Sequence, residues 1–136
     1  MKLLICLDYS SFTDKILEFT KSLVAALKTA EITVLHIVDE TLFFSTTGFE
    51  VQLGEMLNSE SKELKEKCIQ SLGKDTKYIE EYGIPKQVAD EMLEQLDYDL
   101  LLVGSHGRTG IGSRLMGGFA EHVMRNSKKP VLFIRN

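Results

Sequence analysis

Between Asp99 and Arg125 the sequence places residues that suit anion chemistry: Asp-Leu-Leu-Leu-Val-Gly-Ser-His-Gly-Arg-Thr-Gly-Ile-Gly-Ser-Arg-Leu-Met-Gly-Gly-Phe-Ala-Glu-His-Val-Met-Arg. A short apolar run, Leu100 to Val103, stops in a stretch containing Gly104, Gly107, Gly110 and Gly112, and Gly117-Gly118 leads into a helical pattern. Backbone without Cβ atoms lets amide N–H groups approach a phosphate closely. A helix N-terminus adds unpaired N–H donors and a favourable dipole. This arrangement predicts a loop that holds the phosphates of a nucleotide.

Other side chains with chemical potential are scattered. Asp8 closes the first apolar run, and a carboxylate there suits hydroxyl donors. His106 has no Ser, Cys or acid in a recognisable arrangement, so loop geometry or a phosphate contact is favoured over acid–base catalysis. Arg108 fits phosphate pairing and an exposed loop cation equally well. His36 lies in a strand pattern and reads as a packed, hydrogen-bonded residue; His122 reads as facing solvent or a partner. Cys6 and Cys68 give neither a disulfide framework nor metal spacing. Both are expected to be small buried hydrophobes.

The elements that must position these residues follow from periodicity. Leu3–Leu7 is a continuous apolar run of the length of a strand buried on both faces, and Ile32–Val38 is a second strand rich in β-branched residues. Residues 12–29 recur at helical spacing through Ile16, Leu17, Thr20, Leu23, Val24 and Leu27, with Ser11 as a candidate cap and Asp14 three residues on. Residues 41–53 show no clean period; a flap over a site and a loop packing its phenylalanines are equally good readings. Glu55–Leu72 returns to helical spacing, with its Lys and Glu residues read as solvated surface. Thr76–Tyr82 reads as a polar edge strand, and Gly83-Ile84-Pro85 as a turn into a third helix. Strand Asp99–Val103, a helix over 118–127 and strand Val131–Ile134 complete the order β-α-β-α-β-α-β-α-β. That alternation predicts a mostly parallel sheet covered on both faces, with ligand at the carboxyl ends of the strands. Asp8, the end of the second strand and Gly104 all fall there.

The 136 residues fit one domain, expected over 1–136, and composition sets the partner classes. An apolar share of 43%, a charged share of 26% and a net charge of −4 match an ordinary globular protein and disfavour electrostatic binding to nucleic acid. Arg125, Lys128, Lys129 and Arg135 cluster near the C-terminus, where complementing a helix dipole is the favoured reading. The N-terminal apolar stretch ends at Asp8, too short for a signal peptide, and no transmembrane run exists. No membrane partner and a cytoplasmic address are expected.

The P-loop spacing is absent, and so is Gly-x-Gly-x-x-Gly after the first strand. What is present is Gly104, two residues, Gly107, nine residues, Gly117, then Gly118. With Gly-Ser-His-Gly-Arg-Thr-Gly, Ala120-Glu121-His122-Val123 before a Lys-Pro-Val strand, Leu-Asp-Tyr-Ser, Leu35–Glu40 and Gly83-Ile84-Pro85, the whole chain resembles the universal stress protein family. Its nucleotide-binding branch carries Gly-x2-Gly-x9-Gly followed by Ser or Thr. The resemblance implies a Rossmann-like α/β fold of the adenine nucleotide alpha hydrolase type, with five parallel strands in order 3-2-1-4-5. It implies a site for ATP or another adenine nucleotide, with Mg entering only through the phosphates. That site comprises Asp8, Ile37, Val103, Gly104, Ser105, His106, Gly107, Arg108, Gly117, Gly118 and Phe119. In it Asp8 receives adenosine donors, the Ile37 backbone meets adenine, and Gly104 to Gly107 wrap the phosphates. Gly117 and Gly118 bring the last helix to the terminal phosphate. It also implies a homodimer through Val131–Ile134.

Gly118 departs from the family pattern, standing where the family has Ser or Thr. One missing neutral hydrogen bond is about 0.5–1.5 kcal/mol net, roughly threefold to tenfold in affinity. As a helix cap, Gly118 with Glu121 three residues on is tolerable. The leading expectation is a stress-response sensor or regulatory module with at most weak ATP hydrolysis and no catalytic residues. The alternative is a stress protein that works only through protein–protein contact. A nucleotidyltransferase or ATP pyrophosphatase ranks third, because neither His-x-Gly-His nor Ser-Gly-Gly-x-Asp occurs.

Overall fold

A computed structural model describes residues 1–27, 29–44, 50–105 and 116–135. The strands are β1 (Lys2–Leu7), β2 (Glu31–Asp39), β3 (Lys77–Gly83), β4 (Leu100–Gly104) and β5 (Val131–Ile134); the helices are α1 (Thr13–Leu27), α2 (Thr41–Phe44), α3 (Glu50–Leu72), α4 (Pro85–Gln95) and α5 (Gly118–Asn126). The strands form one sheet in the order β3-β2-β1-β4-β5, and every pairing is parallel. The expected order 3-2-1-4-5 is therefore the one observed.

β1 lies at the centre, and its sequence explains why. Leu3, Leu4 and Ile5 are all at most 1% exposed, so the strand is covered on both faces. Leu3, Ile5 and Leu7 point into a layer with Ile16 and Leu17 of α1 and with Leu64 and Cys68 of α3. Leu4 and Cys6 point the other way, toward Ala89 of α4 and Val123 of α5. A period of two thus divides one strand between two cores. Truncating Leu4 to Ala would cost about 2–5 kcal/mol.

The polar edge strand is where it was expected, while some element ends differ. β3 pairs only with β2, which explains its tolerance of Lys77, Glu80 and Glu81. α3 begins at Glu50, five residues before its periodicity becomes readable, and α2 forms within the stretch that had no clean period. α1 begins at Thr13, so its N-cap position is Phe12 and not the expected Ser11; the Ser10 hydroxyl accepts the Phe12 N–H at 3.3 Å in the turn just before it. Gly83, at φ +149°, turns β3 into α4; a Cβ there would lie 2.8 Å from Val88 Cγ2. Pro85 then occupies the first turn of α4 as expected. Among the described residues no helix is long and apolar enough to cross a membrane.

Candidate functional site

A cavity of about 230 Å³ opens at the carboxyl ends of β1, β2 and β4 and reaches the amino end of α5. This is where the chain departs in opposite directions from the adjacent strands β1 and β4, the location at which open parallel sheets take ligands. Asp8, Ile37, Val103, Gly104, Gly117, Gly118 and Phe119 all line it. Seven of the residues expected from sequence are thus brought together. Ser105 is buried just beyond Gly104. His106, Gly107 and Arg108 lie outside the described residues.

The Asp8 side is fixed by hydroxyl groups. The Ser10 hydroxyl donates to Asp8 Oδ1 at 2.6 Å, the Ser10 N–H donates to the Asp8 carbonyl at 3.0 Å, and the Thr13 hydroxyl donates to that same carbonyl. These residues form the turn that ends β1 and starts α1. Beside it, buried His36 donates from Nδ1 to the Leu7 carbonyl at 3.1 Å. A carbonyl only accepts, so Nδ1 carries the proton. His36 is the packed, hydrogen-bonded histidine expected, and it also lines the cavity.

The α5 side is built from backbone. The Ser105 N–H donates to the Ile134 carbonyl at 3.0 Å, and the Gly117 N–H donates to the Ser105 carbonyl at 2.8 Å. Gly117 is the N-cap of α5, with φ −63° and ψ 148°, and no side chain caps it. The helix closes its first turn with the Glu121 N–H donating to the Gly117 carbonyl at 2.9 Å. The N–H groups of Gly118, Phe119 and Ala120 therefore have no acceptor within the helix, and all three residues line the cavity. This corrects one expectation: Gly118 is the first helical residue rather than the cap, so Glu121 does not occupy the capping-box position. The missing Gly118 hydroxyl bears on ligand contact, not on helix capping.

Between these two ends the walls are apolar, with Leu7, Ile37, Leu42, Leu57, Val103 and Phe119. Such a surface suits an aromatic ring. Cys6 also lines the cavity, and burial pushes its thiol up to about 12, leaving it an inert hydrophobe. Asp39 reaches the cavity too, but its Oδ1 accepts the Thr41 N–H at 2.9 Å and the Thr41 hydroxyl at 2.6 Å, which starts α2.

Sequence reasoning missed Tyr9, Leu42, Leu57, Glu60 and Pro85 as cavity residues. Glu60 corrects the reading of the polar face of α3 as wholly solvated. It lines the cavity, and its neighbour Glu63 accepts the Tyr9 hydroxyl at 2.6 Å. His122 is also reassigned. It faces α4 within the same chain, with Nε2 2.8 Å from Asp90 Oδ1. Of the basic C-terminal cluster, Arg125 pairs with Glu121 at 2.9 Å and Lys128 with Glu94 at 3.1 Å. Among the described residues no group of three or more His, Cys, Asp or Glu gathers as a metal site.

Residues 1–135 match the sequence model of the universal stress protein family. A universal stress protein of Methanocaldococcus jannaschii, MJ0577, is 29% identical, with the alignment covering 98% of this chain and 94% of the relative. A solved structure of MJ0577 superposes with a TM-score of 0.85 at 30% identity, covering 99% of this chain and 95% of that one. Two more distant structures share the fold. A universal stress protein family protein from Arabidopsis thaliana with AMP bound gives a TM-score of 0.68 at 16% identity, covering 100% and 92%. The Archaeoglobus fulgidus universal stress protein in complex with dAMP gives 0.63 at 18% identity, covering 99% and 98%.

Proposed function

This chain belongs to the universal stress protein family, and from that premise we propose that it binds an adenine nucleotide as a sensor or regulatory module of a stress response. The observation that carries the reading is the set of groups around one cavity: a fixed carboxylate, apolar walls, and uncapped N–H groups at a helix end. A nucleotide offers the complementary groups: an aromatic base for the apolar walls, ribose hydroxyls for the carboxylate, and a phosphate chain carried on the ribose for the helix end. Asp8 takes the ribose hydroxyl donors, and the Ile37 backbone meets the adenine edge. Gly104, Gly117 and the α5 amino end face the phosphates. Relatives of the same fold that carry AMP and dAMP support the ligand class.

Within this proposal the ligand is AMP, ADP or ATP, and any Mg²⁺ arrives with the phosphates. The protein acts by binding, with no residue assigned to catalysis, and works in the cytoplasm. β5 is an edge strand with Val131, Leu132 and Phe133 only half-buried. An apolar edge of that kind is covered when two copies pair, so the assembly is a homodimer. A monomeric mass by light scattering at micromolar concentration would count against it. Gly118 is the feature that favours the second reading, a stress protein acting through protein contact alone. Its backbone N–H remains, however, so the loss is one hydroxyl.

Thermal unfolding tests the choice. A ligand at about 100 times its Kd stabilises by about 2.7 kcal/mol, which is roughly 5–15 °C in Tm for a domain of this size. AMP, ADP or ATP should raise the Tm of the wild type by that order and raise that of Asp8→Ala by half of it or less. A cooperatively melting protein with no shift at millimolar nucleotide favours the interaction module.

A further inference from the structure

The first turn of α4 carries a lysine set against the amino end of α5. α4 and α5 run side by side, and one stripe of α4, spaced by four residues, faces α5 and the turn after it at Lys86, Asp90 and Glu94. Asp90 meets His122 at 2.8 Å, and Glu94 meets Lys128 at 3.1 Å. Lys86 meets Gly118: its Nζ lies 3.8 Å from where a Cβ on Gly118 would stand. Two of the three rungs are acid against base. The third sets a cation against a residue with no side chain.

The electrostatics of that rung are unfavourable as they stand. Lys86 is in the first turn of α4, directly after Pro85, and that turn contains no acidic residue. It is also beside the first residue of α5. Both helix amino ends carry positive partial charge, where an anion is stabilised and a cation is not. Among the described residues Lys86 has no carboxylate partner, and it is exposed. Its neighbour Pro85 and its contact Gly118 both line the nucleotide cavity.

We infer that Lys86 is a specificity-determining residue of this site, its ammonium binding the outer phosphates of the ligand beside the amino end of α5 in place of the hydroxyl that Gly118 lacks. The inference rests on the nucleotide reading above and sharpens it: the site discriminates by phosphate number. A lysine offers a point charge on a long stem that can follow a phosphate chain. Adenosine does not reach it, AMP meets it weakly, and ADP and ATP meet it fully.

The test compares wild type, Lys86→Gln and Lys86→Arg by calorimetric titration with adenosine, AMP and ATP at two salt concentrations. A charge-assisted contact predicts that Lys86→Gln loses about tenfold or more in ATP affinity, with adenosine affinity unchanged and Lys86→Arg close to wild type. The salt dependence of ATP binding should be shallower in Lys86→Gln. Equal ATP-to-adenosine ratios in wild type and Lys86→Gln would overturn the role of Lys86 while leaving the nucleotide site intact. A wild type that binds neither ligand would overturn the nucleotide reading and this inference with it.

Discussion

At the carboxyl end of β1 the cavity wall is held by side chains, with the Ser10 hydroxyl on Asp8 Oδ1 at 2.6 Å and the Thr13 hydroxyl on the Asp8 carbonyl. Across the cavity the amino end of α5 is held by backbone, with the Gly117 N–H on the Ser105 carbonyl at 2.8 Å and no side-chain cap. The first wall offers one carboxylate in one place, which suits neutral donors of fixed geometry. The second offers several N–H groups and a nearby long-stemmed ammonium, which suits an anion of variable length. The nucleoside and the phosphate chain are thus read by separate walls made in different ways. Each should be alterable without the other.

Removing the carboxylate is the strongest way to break that separation. Hydrogen bonds to a charged group are about 1.5–3 kcal/mol each. Asp8→Ala should therefore weaken adenosine and ATP alike, by roughly 10- to 100-fold in titration. An effect on ATP alone would show that Asp8 belongs to the phosphate wall. Next in size is Gly83→Ala. Its φ of +149° and the 2.8 Å approach to Val88 Cγ2 leave no room for a methyl group. The substitution should cost more than about 1 kcal/mol of stability in urea unfolding. Because Gly83 sets the start of α4 and hence Lys86, ATP binding should suffer more than adenosine binding.

Gly118→Ser sharpens the comparison by converting a backbone wall toward a side-chain one. The added Cβ would stand 3.8 Å from Lys86 Nζ, an ordinary contact, so the fold accepts it. ATP affinity should rise roughly threefold to tenfold, as one neutral hydrogen bond allows, with adenosine unchanged. The smallest expected effect concerns the two thiols. Burial pushes Cys6 up to about 12 and Cys68 to about 11 from an ordinary 9.0. A raised pKa means that the unfolded chain deprotonates first. Stability from these thiols is full below pH 9 and falls between pH 9 and their folded values, so the urea midpoint should drop from about pH 8 to about pH 10. At neutral pH neither thiol should react with iodoacetamide, with or without nucleotide.

Most of the fold was legible because burial on both faces leaves an unambiguous mark. Leu3–Leu7 is apolar throughout, and only a central strand of a covered parallel sheet requires that. β3 was legible for the opposite reason, its polarity matching an edge. The start of α3 was hidden: residues 41–53 show no period, although Leu42 and, further along α3, Leu57 line the cavity. Of the site, Asp8, Gly104 and Gly117 could be found because strand ends and glycine runs are local signals. The position of the helix cap could not, since two adjacent glycines offer no side chain to distinguish one from the other. Lys86 carries no local mark at all. It reaches Gly118 only because α4 packs on α5, a contact that no spacing within either helix announces.

The measurement that tests the central claim most directly is calorimetric titration of nucleotide-stripped protein with ATP and then AMP, each with Mg²⁺, on wild type and Asp8→Ala. The account predicts micromolar binding by the wild type, ATP tighter than AMP, and both weakened roughly 10- to 100-fold in Asp8→Ala. No heat from folded wild type at millimolar nucleotide would contradict it.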